Sequence, residues 1–228
     1  MPIAQMDQVK KNYRVGKVEV PALRGISLSI DAGEFTAIAG PSGSGKTTLL
    51  NIFGCLDKPT TGQVFLGEQN VARLDHNQLA DVRNQNLGFV FQSFNLIPVL
   101  TAFENVEFPL ILLKQGSPKE RKAKVMKILA AVGLADLANR KPAELSGGQQ
   151  QRVAIARALV KGPKVVLADE PTANLDSVTG EAILKLMREM NAKTKTTFIF
   201  STHDPMVMDF ARRLVKVHDG QIAGDERK

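Results

Sequence analysis

Residues 40–48 have the types and the spacing of a loop that binds polyphosphate. Gly40 and Gly45 are separated by four residues and are followed by Lys46 and Thr47, in the pattern G-x-x-x-x-G-K-[ST]. Glycines let successive backbone N–H groups turn toward one anion, and the helix that follows directs its positive end at the same anion. We therefore expect Lys46 to reach the β- and γ-phosphates of a nucleotide and the Thr47 hydroxyl to bind Mg²⁺. The alternative is a glycine turn that only caps a helix.

A second group of chemically active residues follows the apolar residues 165–168. Asp169 and Glu170 come at the end of this predicted strand. Ligands of parallel sheets bind beyond the carboxyl ends of the strands, so both carboxylates are expected near the phosphate-binding loop. We predict that Asp169 holds Mg²⁺, directly or through water, and that Glu170 is the general base for an attacking water. Without the loop, two adjacent carboxylates would more often be a solvated turn.

A second helix start is also suited to an anion. Ser146 and Gln149 have the spacing of a capping box, and Gly147 and Gly148 between them allow a ligand to approach closely. The predicted helix continues through about residue 160, and its N-terminus carries the positive end of the helix dipole. A capped helix without a ligand is the alternative.

Residues 145–152, Leu-Ser-Gly-Gly-Gln-Gln-Gln-Arg, resemble the signature motif of the ATP-binding cassette (ABC) ATPases. The resemblance extends over nearly the whole chain, with the motifs in the family's order. It implies that the chain binds and hydrolyses ATP with Mg²⁺. On this resemblance the nucleotide-binding residues are Tyr13, Gly40, Pro41, Ser42, Gly43, Ser44, Gly45, Lys46, Thr47, Thr48, Ser146, Gly147, Gly148, Gln149 and Asp176.

The resemblance also implies roles for single side chains. Tyr13 matches the aromatic residue that stacks on adenine, and Gln92 matches the glutamine that contacts Mg²⁺ and the attacking water. His203 matches the histidine that contacts the γ-phosphate, and Asp176 belongs to the D-loop motif Asn-Leu-Asp. Taken alone, Tyr13 would be an ordinary aromatic residue of an edge strand, and Gln92 would be a polar residue at a strand end. His203 alone would be a helix-capping or otherwise satisfied histidine. The implied catalytic set is Lys46, Gln92, Glu170 and His203, and the implied metal ligands are Thr47, Gln92 and Asp169.

In this family two cassettes stack head to tail, and each signature motif covers the ATP on the partner's phosphate-binding loop. The resemblance therefore implies a homodimer with ATP at the interface and an integral membrane permease as partner. Segments at 89–98, 104–110 and 169–177 are most similar to the ATPases paired with lipoprotein-releasing, macrolide-exporting and FtsX-type permeases, although Ala173 replaces a frequent glycine. An amino-acid importer ATPase is the alternative. We expect residues 92–100 to contact the permease, with Phe94, Leu96 and Ile97 exposed.

The elements that must position these residues alternate between strand and helix. Apolar runs at 35–39, 87–92, 164–168, 196–201 and 214–217 predict strands, and capping signals before 102, 118, 147 and 205 predict helices, with Ser177 as the cap of another. This alternation predicts an α/β fold, with a mostly parallel sheet. The resemblance adds a P-loop NTPase (RecA-like) core, with an N-terminal antiparallel subdomain and a helical insertion. We expect one domain over 1–228, with residues 1–92 and 146–228 as core and about 93–145 as the helical subdomain.

Composition limits the class of protein. The 228 residues are 43% hydrophobic and 23% charged, which is typical of a globular chain with a packed core. No apolar run approaches the ~20 residues of a membrane-spanning helix, and the N-terminus lacks the pattern of a secretory signal. The single cysteine, Cys55, excludes an internal disulfide and favours a reducing compartment. We expect a cytoplasmic protein that lies peripherally on the inner face of the cell membrane through its permease.

The net charge of +7 suits an anionic partner, which leaves other functions to weigh. A soluble ABC ATPase acting on nucleic acid would fit the charge, but the chain has no Trp, one Tyr and no zinc-binding cysteines. We therefore expect no nucleic-acid partner. A small-molecule kinase would share the phosphate-binding loop, but it must keep water from the γ-phosphate, which Glu170 would oppose. The basic residues of 114–127 indicate a solvated helix face, with contact to anionic lipid as the alternative.

Overall fold

The computed structural model describes residues 2–228, and Met1, the first residue of the predicted domain, lies outside that range. The chain forms two β-sheets. The strands of the larger sheet are Phe35–Ala39 (β3), Leu87–Val90 (β6), Val165–Asp169 (β7), Thr197–Thr202 (β8), Arg213–His218 (β9) and Gln221–Arg227 (β10). Their order in space is β10-β9-β3-β8-β7-β6. All neighbours are parallel except β10, which runs antiparallel to β9.

Side chains of the parallel strands alternate between two cores, one on each face of this sheet. Phe198 and Phe200 of β8 enter one core, and Ile199 between them enters the other. In the first core the rings of Phe35 and Phe200 pack with their centroids 4.6 Å apart. Burial on both faces explains why these strands read as continuous apolar runs in the sequence.

The smaller sheet is antiparallel and precedes most of the larger one in the chain. Its strands are Pro2–Val15 (β1), Val18–Asp31 (β2), Thr61–Leu66 (β4) and Gln69–Asn70 (β5), in the order β2-β1-β4-β5. Ile26, Leu28 and Ile30 alternate with polar residues along β2 and are buried in the second core. The smaller sheet therefore covers one face of the larger one through the apolar side of its own strands.

The helices are Lys46–Phe53 (α1), His76–Asn86 (α2), Ala102–Leu112 (α3), Pro118–Ala131 (α4), Gly147–Leu159 (α5), Ser177–Thr194 (α6) and Pro205–Phe210 (α7). Short 3-10 turns lie at Val71–Arg73, Ala135–Leu137 and Pro142–Glu144. Helices α3 and α4 come between β6 and α5 in the chain, and their Val106, Leu110, Val125 and Leu129 are buried with Val153 of α5. The predicted α/β fold, with a mostly parallel sheet, an antiparallel N-terminal sheet and a helical insertion, is confirmed.

The helix starts follow the capping signals in the sequence. Thr101, Ser117 and Ser146 each form a complete capping box with the residue three positions later. The prediction that Ser177 caps α6 is wrong, because Asp176 is the cap and its carboxylate accepts a hydrogen bond from the Thr179 N–H at 2.9 Å. Aspartate is a strong N-cap residue, and the cap stands one position before the first helical residue.

Helix α2 and strand β10 are among the elements that were not predicted from the sequence. Helix α2 buries only Leu79 and Val82, so it has too few apolar residues to show a helical pattern. Strand β10 is largely exposed and lies at the edge of the larger sheet. A local signal for α2 was nevertheless present, the capping box of Asp75 and Gln78, whereas β10 is stabilised by its pairing with β9. Between Pro2 and Lys228 no helix combines the length and the apolar character needed to cross a bilayer.

Candidate active site

The phosphate-binding loop connects the buried strand β3 to helix α1. Gly45, the N-cap of α1, has φ 103°, a conformation that glycine adopts without the steric cost of a Cβ. No side chain caps α1, so its first backbone N–H groups remain available to an anion. The ammonium of Lys46 is buried and donates to the carbonyls of Gly40 and Pro41, each at 2.8 Å. A cation and a free helix start thus lie at the same turn.

A cavity of about 620 Å³ opens at this loop. It brings together residues from five segments that are remote in sequence. The sequence predicted all but one of its lining residues; the exception is Ala22 of β2, which had no motif to mark it. The lining consists of Ala22, Pro41, Ser42, Gly43, Gly45, Lys46, Thr47, Thr48, Gln92, Glu170 and His203.

Glu170 and His203 are in direct contact in the lining of this cavity. Glu170 Oε1 lies 2.7 Å from His203 Nδ1, and Glu170 Oε2 accepts a hydrogen bond from the Thr202 hydroxyl at 3.2 Å. Glu170 has φ 46°, a strained conformation for a residue with a side chain, and its N–H donates to Ser201 O at 2.9 Å. The neighbouring strands β7 and β8 therefore aim one carboxylate and one imidazole at the same space.

Asp169 is the last residue of β7 and pairs with Ser201 of β8. Its Oδ1 is buried and accepts no hydrogen bond of good geometry from the described residues, and Ser201 is its nearest hydroxyl group in the strand pairing. Burial raises the pKa of Asp169, and the charge of Glu170 adds to this effect, while Ser201 and Lys46 oppose it. A buried carboxylate oxygen without a donor is suited to a cation.

Gln92 follows β6 and reaches the D-loop segment of the same chain. Asn174 Nδ2 donates to the Gln92 carbonyl at 3.0 Å, and the two side-chain amides lie 3.5 Å apart. Asn174 is the first residue of the D-loop motif, but its contact with Gln92 was not predicted from the sequence. The contact couples the glutamine to the segment between Glu170 and α6.

The loop after Gln92 is more buried than the sequence predicted. Phe94, Leu96 and Ile97 were expected to be exposed, but they are half-buried, and Leu96 packs against the first core. The reason is Arg157 of α5, whose guanidinium donates to the carbonyls of Phe94 and Asn95 and draws this loop against the helix. The exposed apolar residue of the loop is instead Val99, at 73%.

The signature residues lie away from the cavity of their own chain. Ser146 caps α5, and the Gly147–Gly148 pair packs against the D-loop and α6 through Leu175 and Thr179. Asp176 caps α6, and hydrogen bonds from Thr179 lower its pKa. None of Ser146, Gly147, Gly148, Gln149 and Asp176 lines the cavity. Within one chain the two predicted anion-binding helix starts are therefore separate.

Tyr13 lies on β1, beside the loop but outside the cavity lining. Its hydroxyl donates to Asp57 Oδ2 at 2.8 Å, and its ring is partly exposed. Burial and the contact with Asp57 raise its pKa, against the opposing effect of the Thr48 hydroxyl. The aromatic ring is therefore next to the last residue of the phosphate-binding loop.

This loop, the acidic strand end and the mostly parallel sheet define a P-loop nucleoside triphosphatase. A family model described as "ABC transporter" matches residues 23–173. The chain belongs to this family, and it is an ATP-binding and ATP-hydrolysing cassette.

Relatives of this chain cover it almost completely. It is 50% identical to an ABC transporter ATP-binding protein of Thermotoga maritima, over 99% of the chain and 96% of that protein. It is 47% identical to the macrolide export ATP-binding/permease protein MacB of Syntrophobacter fumaroxidans, but it spans only 31% of the length of MacB. The chain therefore corresponds to one part of MacB.

Solved structures agree with this assignment. The ATP-binding cassette MJ0796 of Methanocaldococcus jannaschii, as a dimer in a post-hydrolysis state with ADP and phosphate, superposes with a TM-score of 0.90. The two chains are 47% identical, and each is covered to 98%. The predicted fold family and ATPase class are confirmed by this similarity.

Proposed function

We propose that this chain hydrolyses ATP in the cavity at residues 40–48 to drive a separate membrane permease. One observation carries the assignment of the site: the phosphate-binding loop, Gln92, Glu170 and His203 line a single cavity. Its volume of about 620 Å³ lies in the usual range for small-molecule sites. The charge of Lys46 and the free N-terminus of α1 favour a polyphosphate there.

The phosphate groups are bound by the backbone N–H groups of residues 40–48 and by the Lys46 ammonium. Lys46 exchanges its two carbonyl partners for phosphate oxygens when nucleotide binds. Thr47, Gln92 and Asp169 are the proposed Mg²⁺ ligands, and the unpaired Asp169 Oδ1 and the exposed Thr47 side chain fit this role. Bound Mg²⁺ would neutralise charge that develops on the phosphates.

Glu170 is the proposed general base. It accepts the proton of the attacking water, and His203 orients the carboxylate and contacts the γ-phosphate. The 2.7 Å contact between Glu170 and His203 supports this arrangement, because it places the proposed base and the imidazole side by side in one cavity. Gln92, exposed at the rim, is positioned through Asn174 to contact the water and the metal.

The signature residues act on the nucleotide of a second copy. Ser146–Gln149 and the loop at 40–48 are separate in one chain, which supports closure of the site by the α5 N-terminus of a partner cassette. The MJ0796 cassette, 47% identical to this chain, has a dimeric structure, which supports a homodimer. The head-to-tail arrangement and the two ATP molecules at the interface are part of the proposal. Asp176, at the start of α6, is proposed to contribute at this interface.

The proposed partner is an FtsX/MacB/LolCE-like permease, and the proposed process is export or the extrusion of lipoproteins or peptides. MacB relatives carry an ATP-binding part and a permease part under one name, and this chain matches the former. On this proposal the chain lies at the inner face of the cell membrane, without a nucleic-acid partner. Residues 93–145 form the helical subdomain that faces the permease, and residues 1–92 and 146–228 form the core.

Substitution of Lys46 tests the nucleotide site. Lys46→Ala should raise the dissociation constant for Mg-ATP by about 10- to 100-fold, since it removes charge-assisted hydrogen bonds. Calorimetric titration measures this change, with Lys124→Ala, an exposed lysine on α4, as the matched control. Unchanged ATP affinity in a folded Lys46→Ala protein would exclude the proposed role of the loop.

A further inference from the structure

Three side chains from two separate parts of the chain form a closed cluster around Tyr13. Lys11 Nζ lies 4.9 Å from the centroid of the Tyr13 ring. The same ammonium donates to Asp57 Oδ1 at 2.6 Å and to the Lys58 carbonyl at 2.8 Å. The Tyr13 hydroxyl donates to the other oxygen of Asp57. One carboxylate thus holds both the ring's hydroxyl and the cation over the ring.

The cluster is more than a surface ion pair. The side chains of Lys11 and Asp57 are only 13% and 27% exposed. Burial acts to raise the pKa of Asp57, but hydrogen bonds from Lys11, Tyr13 and the Lys58 N–H outweigh it and leave the pKa below its usual value. The carboxylate therefore stays charged at neutral pH and holds both partners at once.

The cluster also connects two elements of the nucleotide site. Lys11 and Tyr13 are two residues apart on β1, whereas Asp57 lies in the turn that follows α1, where its N–H donates to the Asn51 carbonyl. Helix α1 begins at the phosphate-binding loop, so Asp57 ties Tyr13 to the helix that carries the loop. Hydrogen bonds of Asp57 thus connect the Tyr13 ring to the helix that begins at the phosphate-binding loop.

We propose that Lys11 and Asp57 are positioning residues that hold Tyr13 for stacking on the purine base of the bound nucleotide. Lys11 occupies one face of the ring, and the exposed part of the ring is left to the base. The proposal rests on the proposed nucleotide site and on the role of Tyr13 in it.

Two physical effects follow from this arrangement. A ring held by its hydroxyl and one face loses less conformational entropy when the base binds, so affinity is gained by preorganisation. A cation on one face also withdraws electron density from the ring, which favours stacking with an electron-rich base on the other. Both effects act on the base alone and leave the phosphate contacts unchanged.

The composition of the chain supplies a direct probe. The protein has one tyrosine and no tryptophan, so its intrinsic fluorescence comes from Tyr13. We would titrate the full chain with Mg-ATP and with inorganic tripolyphosphate, following Tyr13 emission for ATP and calorimetry for both. The variants are Lys11→Met, Lys11→Arg and Asp57→Asn. The matched control is Lys10→Met, which removes the same charge from the exposed neighbouring residue of β1.

Relative to Lys10→Met, we expect Lys11→Met to bind ATP about three- to tenfold more weakly, while its affinity for tripolyphosphate equals that of the control. Asp57→Asn should show the same selective loss relative to the wild type. Lys11→Met and Asp57→Asn should also reduce the response of Tyr13 emission to ATP. Lys11→Arg keeps a cation at this position and should match the wild type in ATP affinity and in Tyr13 emission. Melting temperatures establish that each variant is folded.

The outcomes separate the inference from the function on which it rests. If ATP changes Tyr13 emission in the wild type but Lys11→Met and Asp57→Asn bind ATP like their references, the positioning role is wrong. An equal loss for ATP and tripolyphosphate would also overturn it, because the cluster would then only support the fold. If the wild type binds ATP without any change in Tyr13 emission, the stacking role of Tyr13 fails as well.

Discussion

Glu170 Oε1 and His203 Nδ1 are 2.7 Å apart, although the two residues are 33 positions apart in the chain. The contact exists because β7 and β8 are adjacent parallel strands, and both residues lie just beyond their carboxyl ends. On the proposed function, the attacking water and the γ-phosphate meet at this contact.

The first prediction concerns this carboxylate. Glu170→Gln keeps the size of the side chain but removes the proton acceptor, so ATP turnover should fall by about 10²–10⁴-fold. ATP should still bind, because the loop at 40–48 is intact, and the unhydrolysed nucleotide should accumulate a dimer. Steady-state phosphate release and size-exclusion chromatography with Mg-ATP measure the two effects.

Glu181→Gln is the matched control, since Glu181 is an exposed residue of α6 that pairs with Lys185. Its turnover should equal that of the wild type. Undiminished hydrolysis by Glu170→Gln would mean that another residue activates the water. A protein that stays monomeric with Mg-ATP after this substitution would contradict the shared site.

The second prediction concerns the buried carboxylate of Asp169. Its pKa is raised in the folded chain, so folding favours the protonated form. The stability contributed by protonation is present below the unfolded pKa, about 3.9, and is lost as the pH rises through the folded value. At pH 7 the charged group therefore destabilises the protein when no cation is bound.

Asp169→Asn should accordingly raise the melting temperature of the nucleotide-free protein at pH 7, and the gain should shrink toward pH 4. The variant should also lose most of the stabilisation that Mg²⁺ adds to ATP binding. Thermal melts with ATP, with and without Mg²⁺, test both statements. A lower melting temperature of the nucleotide-free variant at pH 7 would contradict the destabilising effect of the buried charge. An unchanged effect of Mg²⁺ would contradict the role of Asp169 as a metal ligand.

The third prediction concerns the packing of the signature motif. A Cβ added at Gly148 would lie 2.5 Å from Thr179 Cγ2 of α6, closer than two such carbons can stand. Gly148→Ala should therefore lower stability by ~1–3 kcal/mol, as overpacking usually does. Adding Thr179→Ser, which removes that methyl group and keeps the N–H bond to Asp176, should recover most of the loss.

Chemical denaturation of the single and double variants measures this coupling. Thr179→Ser alone is the control and should change stability by less than the Gly148→Ala substitution. If the double variant is as unstable as Gly148→Ala, the contact with Thr179 is not the reason for glycine at this position.

The fourth prediction concerns the proposed permease contact. Val99 is exposed, so Val99→Asp should leave the melting temperature almost unchanged while reducing co-purification with the permease. Leu96→Asp should instead unfold or destabilise the chain by about 2 kcal/mol or more, because Leu96 packs against the core. Val18→Asp, at another exposed valine on the β1–β2 hairpin, is the control. Undisturbed permease binding by Val99→Asp would move the contact elsewhere.

Much of the candidate site could be predicted because its chemistry is local. The spacing of Gly40, Gly45 and Lys46 determines where the N–H groups and the ammonium point, whatever the rest of the fold does. The capping boxes at Thr101, Ser117 and Ser146 are likewise complete within four residues. Asp169 and Glu170 could be assigned to a strand end because the apolar run before them is continuous.

The prediction that Phe94, Leu96 and Ile97 are exposed was wrong because their burial depends on a contact that is remote in sequence. A polar and apolar mixture after a strand reads as an exposed loop, and nothing near it in the chain indicates a partner. Arg157, more than 60 positions later, supplies the hydrogen bonds that hold this loop against α5. Helix α2 was missed because its two buried apolar residues show no helical period, although Asp75 and Gln78 form its capping box. Strand β10 was missed because its pairing with β9, rather than its own pattern, stabilises it.

By itself, the sequence determined the phosphate-binding loop, the acidic strand end, the starts of α3, α4 and α5 and the α/β class, since each depends on neighbours along the chain. Only the tertiary structure decided that Glu170 meets His203, that Gln92 meets Asn174, and that Lys11 and Asp57 enclose Tyr13. These pairs are joined by the order of strands in the sheets and by the turn after α1. That order depends on how remote apolar faces pack together, which no local pattern of residues encodes.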